Sequence, residues 1–184
     1  TTATGSVARE AMIDCMENYY GNPSSLHTPG QKAAEKLWES REIMAKYLHA
    51  KPEEIYFTSG GSEADNQALL TAAMIGKKKG KRHIISTAFE HHAVLHSLRR
   101  LEKEGFEVTL LPVHENGIVR LDELKAAVRE DTICVSVMYA NNEIGTIQPI
   151  AEIGKFCREN GIVFHTDAVQ AVGNVPIDVK AMNI

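Results

Sequence analysis

The stretch TICVSVMY, residues 132–139, constrains the fold more than any other. It is apolar on almost consecutive positions and rich in β-branched residues. A strand with one wet face alternates apolar and polar side chains. A continuous apolar run belongs to a strand covered on both faces, which is the condition of a parallel sheet between helices. EIYF (54–57), RHIIS (82–86), FEVTLL (106–111) and GIVFH (161–165) are short runs of the same kind. Helical patterns separate most of them: EADNQALLTAAMIG, HAVLHSLRRLEKEG, DELKAAVRE and IAEIGKFCREN. The alternation predicts an α/β fold with a mostly parallel sheet flanked by helices. A chain of 184 residues is long enough to bury a sizeable core.

Helix starts are signed locally. TPGQ (28–31) offers Thr28 as N-cap, Pro29 at the first helical position and Gln31 to complete a capping box. TAFE (87–90) offers a second box, with Thr87 as N-cap and Glu90 at its third position. Residues 5–20 read as a further helix, ended by GNPSS. The expected organisation is an N-terminal helix and loop segment over 1–25, then a large domain over 26–184.

Charge and composition exclude several classes. A net charge of −4 lacks the basic face of a general nucleic-acid binder. The basic run Lys77, Lys78, Lys79, Lys81, Arg82 falls between a helix and a strand, where a solvated loop is expected. No apolar run approaches the roughly 20 residues that span a bilayer. Cys15, Cys134 and Cys157 are scattered and odd in number, which forms neither a disulfide framework nor a metal knuckle. A reducing cytoplasm is the expected setting. The first residue is not methionine and the last follows an apparent loop, so the sequence is expected to be part of something longer.

Four polar clusters fall after strand-like runs, where α/β sheets hold their ligands. TSGGSEADN (58–66) is a small-residue turn opening a helix. The N–H groups of Gly61 and Ser62, with the Ser62 hydroxyl, suit an anion at a helix start. The same residues would also make an ordinary tight turn. TDAVQ (166–170) puts Asp167 at a strand end and Gln170 three residues on. That carboxylate could cap its own helix or hold a proton on a ring nitrogen. NNEIG (141–145) supplies two amides that could simply cap a turn.

EHHAVLHS (90–97) is the fourth. His92 and His96 have the spacing of a helical metal pair, but the glutamate precedes the pair instead of lying inside it, so the H-E-x-x-H pattern is missing. The preferred reading is no metal, with His91 at the first turn lying flat over a planar cofactor.

Together the clusters resemble fold-type I pyridoxal-phosphate enzymes, and specifically the cysteine desulfurases of the NifS/IscS type. The stretches that carry the likeness run along nearly the whole chain: TT at the start, YYGNPSSLHTPGQ, EIYFTSGGSEADNQAL, FEHHAVLHSLRRLEKEGFEVTLLPV, NGIVRLDELKAAVREDTICVSVMYANNEIGTIQPI and HTDAVQAVGNVPIDV. The resemblance implies pyridoxal 5'-phosphate as cofactor. It implies that His91 stacks on the pyridine ring and does acid/base work. Asp167 would pair with the pyridinium nitrogen, Gln170 with the ring's phenolic oxygen, and Asn142 would lie near that oxygen and the substrate. Gly61 and Ser62 would bind the phosphate; the family more often has threonine where Ser62 stands.

The implied reaction takes sulfur from L-cysteine, leaving L-alanine and a persulfide on an enzyme cysteine. An iron–sulfur scaffold or another acceptor protein would receive the sulfur, and a homodimer is expected. The resemblance also implies that 26–184 is an incomplete large domain. The Schiff-base lysine and the persulfide cysteine would both lie beyond Ile184, so this chain alone is expected to be inactive. Selenocysteine lyase, another small-substrate pyridoxal-phosphate lyase or aminotransferase, and a non-catalytic fragment are the alternatives.

Overall fold

The computed structural model describes residues 3–184. The chain divides into two compact units, one ending at Tyr56 and one running from Phe57 to Ile184. The division in packing falls after residue 56.

The first unit is helical. Helix α1 spans Ser6–Asn18 and α2 spans Thr28–Leu48. The N-cap of α2 is His27, not Thr28: its Nδ1 accepts from the Gly30 amide at 3.2 Å, and Thr28 and Pro29 are already helical. Close packing explains the glycine here, since a Cβ on Gly30 would lie 2.5 Å from the Ser25 carbonyl oxygen. The run EIYF does not form a strand. Pro52–Glu54 make a 3-10 turn, and Ile55 beyond it is extended but joins no sheet ladder. Tyr56 is 75% exposed, so the apolar character of this run does not report burial by a sheet.

The second unit carries the sheet. Helix α3 (Gly61–Lys78) leads to β1 (His83–Thr87), α4 (His92–Lys103), β2 (Glu107–Leu111), α5 (Leu121–Ala127), β3 (Thr132–Ser136), α6 (Ile150–Glu159) and β4 (Val163–His165). All pairings are parallel, in the order β2-β1-β3-β4. Both inner strands, β1 and β3, are buried at every position, as continuous apolar runs require.

One face is covered by α3 and α4. Leu69, Ala73, Ile84, Val94, Leu98, Leu101 and Ile133 form a single core there. Gly76 lets α3 press onto β3, because a Cβ would come within 2.5 Å of the Ile133 side chain. The right-handed crossover rule sends the connections from β2 to β3 and from β3 to β4 over the opposite face, where α6 buries Ile150, Ile153 and Cys157. The chain turns outward from β1 to β2, then returns to β3. The switch point of this sheet therefore lies between the carboxyl ends of β1 and β3.

Lys77, Lys78 and Lys79 are exposed at the end of α3, where positive charge suits the helix dipole. Among the described residues no helix is long and apolar enough to cross a membrane.

Candidate active site

Three of the four clusters follow strand ends, those of β1, β3 and β4, and the fourth opens α3 without a strand before it; all four lie in one neighbourhood. Beyond β1, the Glu90 Oε1 accepts from the Thr87 hydroxyl at 2.7 Å and from the Met138 amide at 2.9 Å. The Asn141 Nδ2 donates to the Phe89 carbonyl at 3.1 Å. These bonds join EHHAVLHS to NNEIG across the switch point. NNEIG joins TDAVQ where the Tyr139 amide donates to the Asp167 carbonyl at 2.8 Å. TDAVQ meets TSGGSEADN through Gly61, whose Cβ, if it had one, would lie 3.0 Å from a Val169 methyl. Lower down, His165 Nε2 lies 3.5 Å from Asp65 Oδ1, tying β4 to α3, while its Nδ1 lies 2.8 Å from the Ser136 hydroxyl.

The residues divide by depth. Asp65, Glu90, Asn141 and Asp167 are buried. Ser62, His91, Asn142 and Gln170 are exposed. His91 is the N-cap of α4, its Nδ1 accepting from the Ala93 amide at 3.2 Å. Sequence reasoning put a capping box on Thr87 and Glu90. Those side chains do meet, but Thr87 is the last residue of β1 and the helix starts later, at His92.

The two asparagines of NNEIG have different jobs. Asn141 Oδ1 accepts from the amides of Glu143 and Ile144 and holds the turn. Asn142 is exposed. Asp167 Oδ1 accepts from the Val169 amide at 3.0 Å, so one oxygen organises its own turn. Gly60 and Gly61 open α3, where Gly60 has empty space at the Cβ position. The exposed N-terminus of α3 thus keeps an approach for an anion.

Sequence reasoning gave Glu90 only a capping role and passed over Asp65 and His165. Burial pushes the Glu90 carboxyl up to about 7, against the lowering effect of its bonds to Thr87 and Met138; the nearby charges of Asp167 and Asp65 add to the rise. Its Oε2 is buried without a hydrogen-bond partner. The hydroxyl of Thr166, beside Asp167, is in the same condition.

His92 and His96 sit with ring centroids 5.6 Å apart, and among the described residues no three His, Cys, Asp or Glu side chains converge as a metal site. Burial raises the thiols of Cys134 and Cys157 to about 12, which removes thiolate character from both. A shallow cleft lined by Leu121, Lys125, Glu152, Lys155, Phe156 and Glu159 shares no residue with the four clusters.

A parallel sheet whose switch point is ringed by a glycine-opened helix, a strand-end aspartate and a histidine-capped helix is the large-domain architecture of fold-type I pyridoxal-phosphate enzymes. The chain belongs to the aminotransferase class-V family, whose model matches residues 1–184. It is 55% identical to a cysteine desulfurase IscS of Clostridium botulinum over 184 residues, all of this chain and 46% of that relative. It superposes on a NifS-like protein with a TM-score of 0.95 and 40% identity, covering all of this chain and 51% of the other. A structure described as SspA in complex with cysteine gives a TM-score of 0.95 at 37% identity, covering all of this chain and 53% of that one. The chain spans about half the length of the curated relatives it matches.

Proposed function

We propose that the protein of which this chain forms part is a cysteine desulfurase, and that these residues supply most of its contacts to pyridoxal 5'-phosphate. The observation that carries the reading is the junction of four clusters at one switch point, in a chain 55% identical to a cysteine desulfurase. The residues suit such a cofactor. Free helix-start amides at Gly61 and Ser62 match a phosphate, and a buried carboxylate at Asp167 matches a protonated ring nitrogen.

When bound, pyridoxal phosphate supplies an electron-withdrawing pyridinium that stabilises carbanion character at the substrate's α-carbon. The chain's own residues bind and orient. Gly61 and Ser62 hold the phosphate. Asp167 keeps the proton on the ring nitrogen through the oxygen that Val169 leaves free. Gln170 and Asn142, both exposed, reach the phenolic oxygen. His91 would stack on the ring; with Nδ1 accepting from the Ala93 amide, the neutral imidazole carries its proton on Nε2, the nitrogen left to donate toward the site. L-Cysteine is the preferred substrate, on the names of the cysteine desulfurase relative and of the structure holding cysteine. The sulfur would pass to an iron–sulfur scaffold or another acceptor protein, from a homodimer in the cytoplasm.

None of Cys15, Cys134 or Cys157 serves as sulfur carrier in this reading; the latter two are buried. The test has two arms. The complete protein should release alanine from L-cysteine, and failure to do so with cofactor bound overturns the activity. The 184-residue chain should bind pyridoxal phosphate weakly, if at all, without covalent attachment, and should not desulfurate cysteine. Turnover by the chain alone above that of free cofactor would show that it holds its own catalytic lysine.

A further inference from the structure

We propose that Glu90 is a positioning residue for this site: its buried carboxyl fastens the turn that carries His91 to the backbone that leads to Asn142. The inference rests on the cofactor reading for its functional meaning, and on bonding geometry for its substance.

Glu90 bonds both sides of the switch point with a single carboxyl, through the Thr87 hydroxyl at the end of β1 and the Met138 amide beyond β3, and Asn141 reinforces the same junction from the other side through the Phe89 carbonyl. The next residue is His91, and the backbone beyond Met138 reaches Asn141 and Asn142 within a few residues. Both bonds end on one oxygen. The other oxygen is buried and unpartnered, in a residue only 5% exposed.

Carboxyls on two neighbouring elements face this group. Asp167 lies beyond β4, and Asp65 on α3 is held by His165 of β4. An ionised carboxylate in such a place, with one oxygen bare, is far costlier than a neutral acid. Glu90 therefore holds its proton up to about pH 7. In this state Glu90 is a structural clamp that adds no charge to the floor of the site.

The direction of pH dependence follows. The folded carboxyl is raised to about 7 from an ordinary 4.5. Its contribution to stability is complete below the unfolded value and is lost as pH rises through the folded one.

The test compares the complete protein with its Glu90→Gln, Glu90→Asp and Glu90→Ala variants. Gln keeps the acceptor and the neutral state. Asp is too short to serve Thr87 and Met138 together. Infrared spectra should show a protonated-acid carbonyl band in the wild type that disappears near about pH 7 and is missing from Gln. Between about pH 5 and about pH 8, the wild-type thermal midpoint should fall relative to that of Gln. Amide exchange at Met138 should stay slow in Gln and quicken roughly tenfold in Asp and Ala, as loss of one hydrogen bond predicts. Pyridoxal phosphate affinity should be within about twofold of wild type in Gln and about tenfold weaker in Asp.

A wild type without the acid band, or pH profiles identical in wild type and Gln, overturns the neutral clamp. Slow Met138 exchange in Ala overturns the fastening role. If the band, the profile and the exchange behave as stated but no variant nor the wild type binds the cofactor, Glu90 stands as the clamp of this turn and the cofactor reading fails.

Discussion

The two ends of the parallel sheet treat buried polar groups in opposite ways. At the amino end, His83 is fully buried, and its Nδ1 and Nε2 lie 2.8 Å from the hydroxyls of Thr132 and Thr109, so that one ring ties β1 to both of its neighbours. Thr132 Oγ1 also accepts from the Arg129 amide, and Arg129 grips Asp131 with two nitrogens and Glu107 with a third. Beyond the carboxyl end, Glu90 and Thr166 each bury an oxygen with no partner. The Ser86 hydroxyl, next to last in β1, is a third such case, and Glu123 Oε2 on α5 a fourth. Unpartnered buried oxygens cost stability, and native structures hold few of them. Three of these four lie toward the end where the four clusters meet, which leaves that end with unspent bonding capacity, whereas the amino end is tied by His83 and Arg129.

The largest effect that would break this comparison is at Asp167. Asp167→Ala in the complete protein should lower turnover roughly 30- to 1,000-fold, equivalent to about 2–4 kcal/mol of a buried charge-assisted hydrogen bond. Folding should suffer less, since its side chain bonds the Val169 amide of its own turn. Steady-state kinetics beside thermal melts check this. Near-normal turnover would remove the ligand role from that end of the sheet.

The amino end should answer in the other sense. His83→Ala leaves the two threonine hydroxyls without the ring and opens a cavity, costing about 2–4 kcal/mol of stability in denaturant titration. Cofactor affinity of the surviving folded fraction should be unchanged. The pH sign also differs from that of Glu90. Burial, aided by Arg129, holds the His83 imidazole below its ordinary 6.5. Its contribution is present above that value and is lost as pH falls through the lowered one. A stability profile of the wild type should thus lose its acid limb in the His83 variant and its neutral limb in Glu90→Gln. Identical profiles would mean that the two ends are not chemically distinct.

How much of this was legible beforehand depends on what a residue's neighbours in sequence can say. The inner strands were legible, because burial on both faces writes itself as an uninterrupted apolar run in TICVS and HIIST. The same signal misled at EIYF, where three apolar residues, Ile55, Tyr56 and Phe57, follow a 3-10 turn and no ladder forms; an apolar run reports a partner only if a partner strand lies alongside. The exposed members of the candidate site were legible as motif letters. Their buried partners were not. Asp65 lies four residues past Gly61, Glu90 one before His91, and Asn141 one before Asn142, and nothing local distinguishes the inward residue from the outward one. That choice is made by strand ends arriving from distant parts of the chain, as when Met138 presents its amide to Glu90.

The asparagine pair sharpens the point at moderate cost. Asn141→Ala removes acceptors from the Glu143 and Ile144 amides and a donor from the Phe89 carbonyl. A loss of about 1–3 kcal/mol is expected in thermal or chemical unfolding. Asn142→Ala should change stability by no more than about 0.5 kcal/mol, as at other exposed positions, while weakening cofactor or substrate contacts in the complete protein. Equal destabilisation by both would erase the distinction between inward and outward letters of the motif.

The smallest expected effect on stability is also the cleanest separation of fold from function. His91 does two things in this reading: its Nδ1 caps α4 through the Ala93 amide, and its ring faces the cofactor. Asparagine is among the best N-cap residues, so His91→Asn should keep the cap and hold stability within about 0.5 kcal/mol. His91→Ala should lose the cap at a cost of about 1 kcal/mol. Neither replacement offers an aromatic face or a titrating imidazole. Both variants should therefore lose ring contact and proton transfer in the complete protein to a similar degree, despite their different melts. The measurement is a pairing of thermal midpoint with cofactor affinity and turnover for each. If activity tracked the cap, with Asn active and Ala not, His91 would be a helix stop and the chemistry would have to be sought elsewhere in the floor.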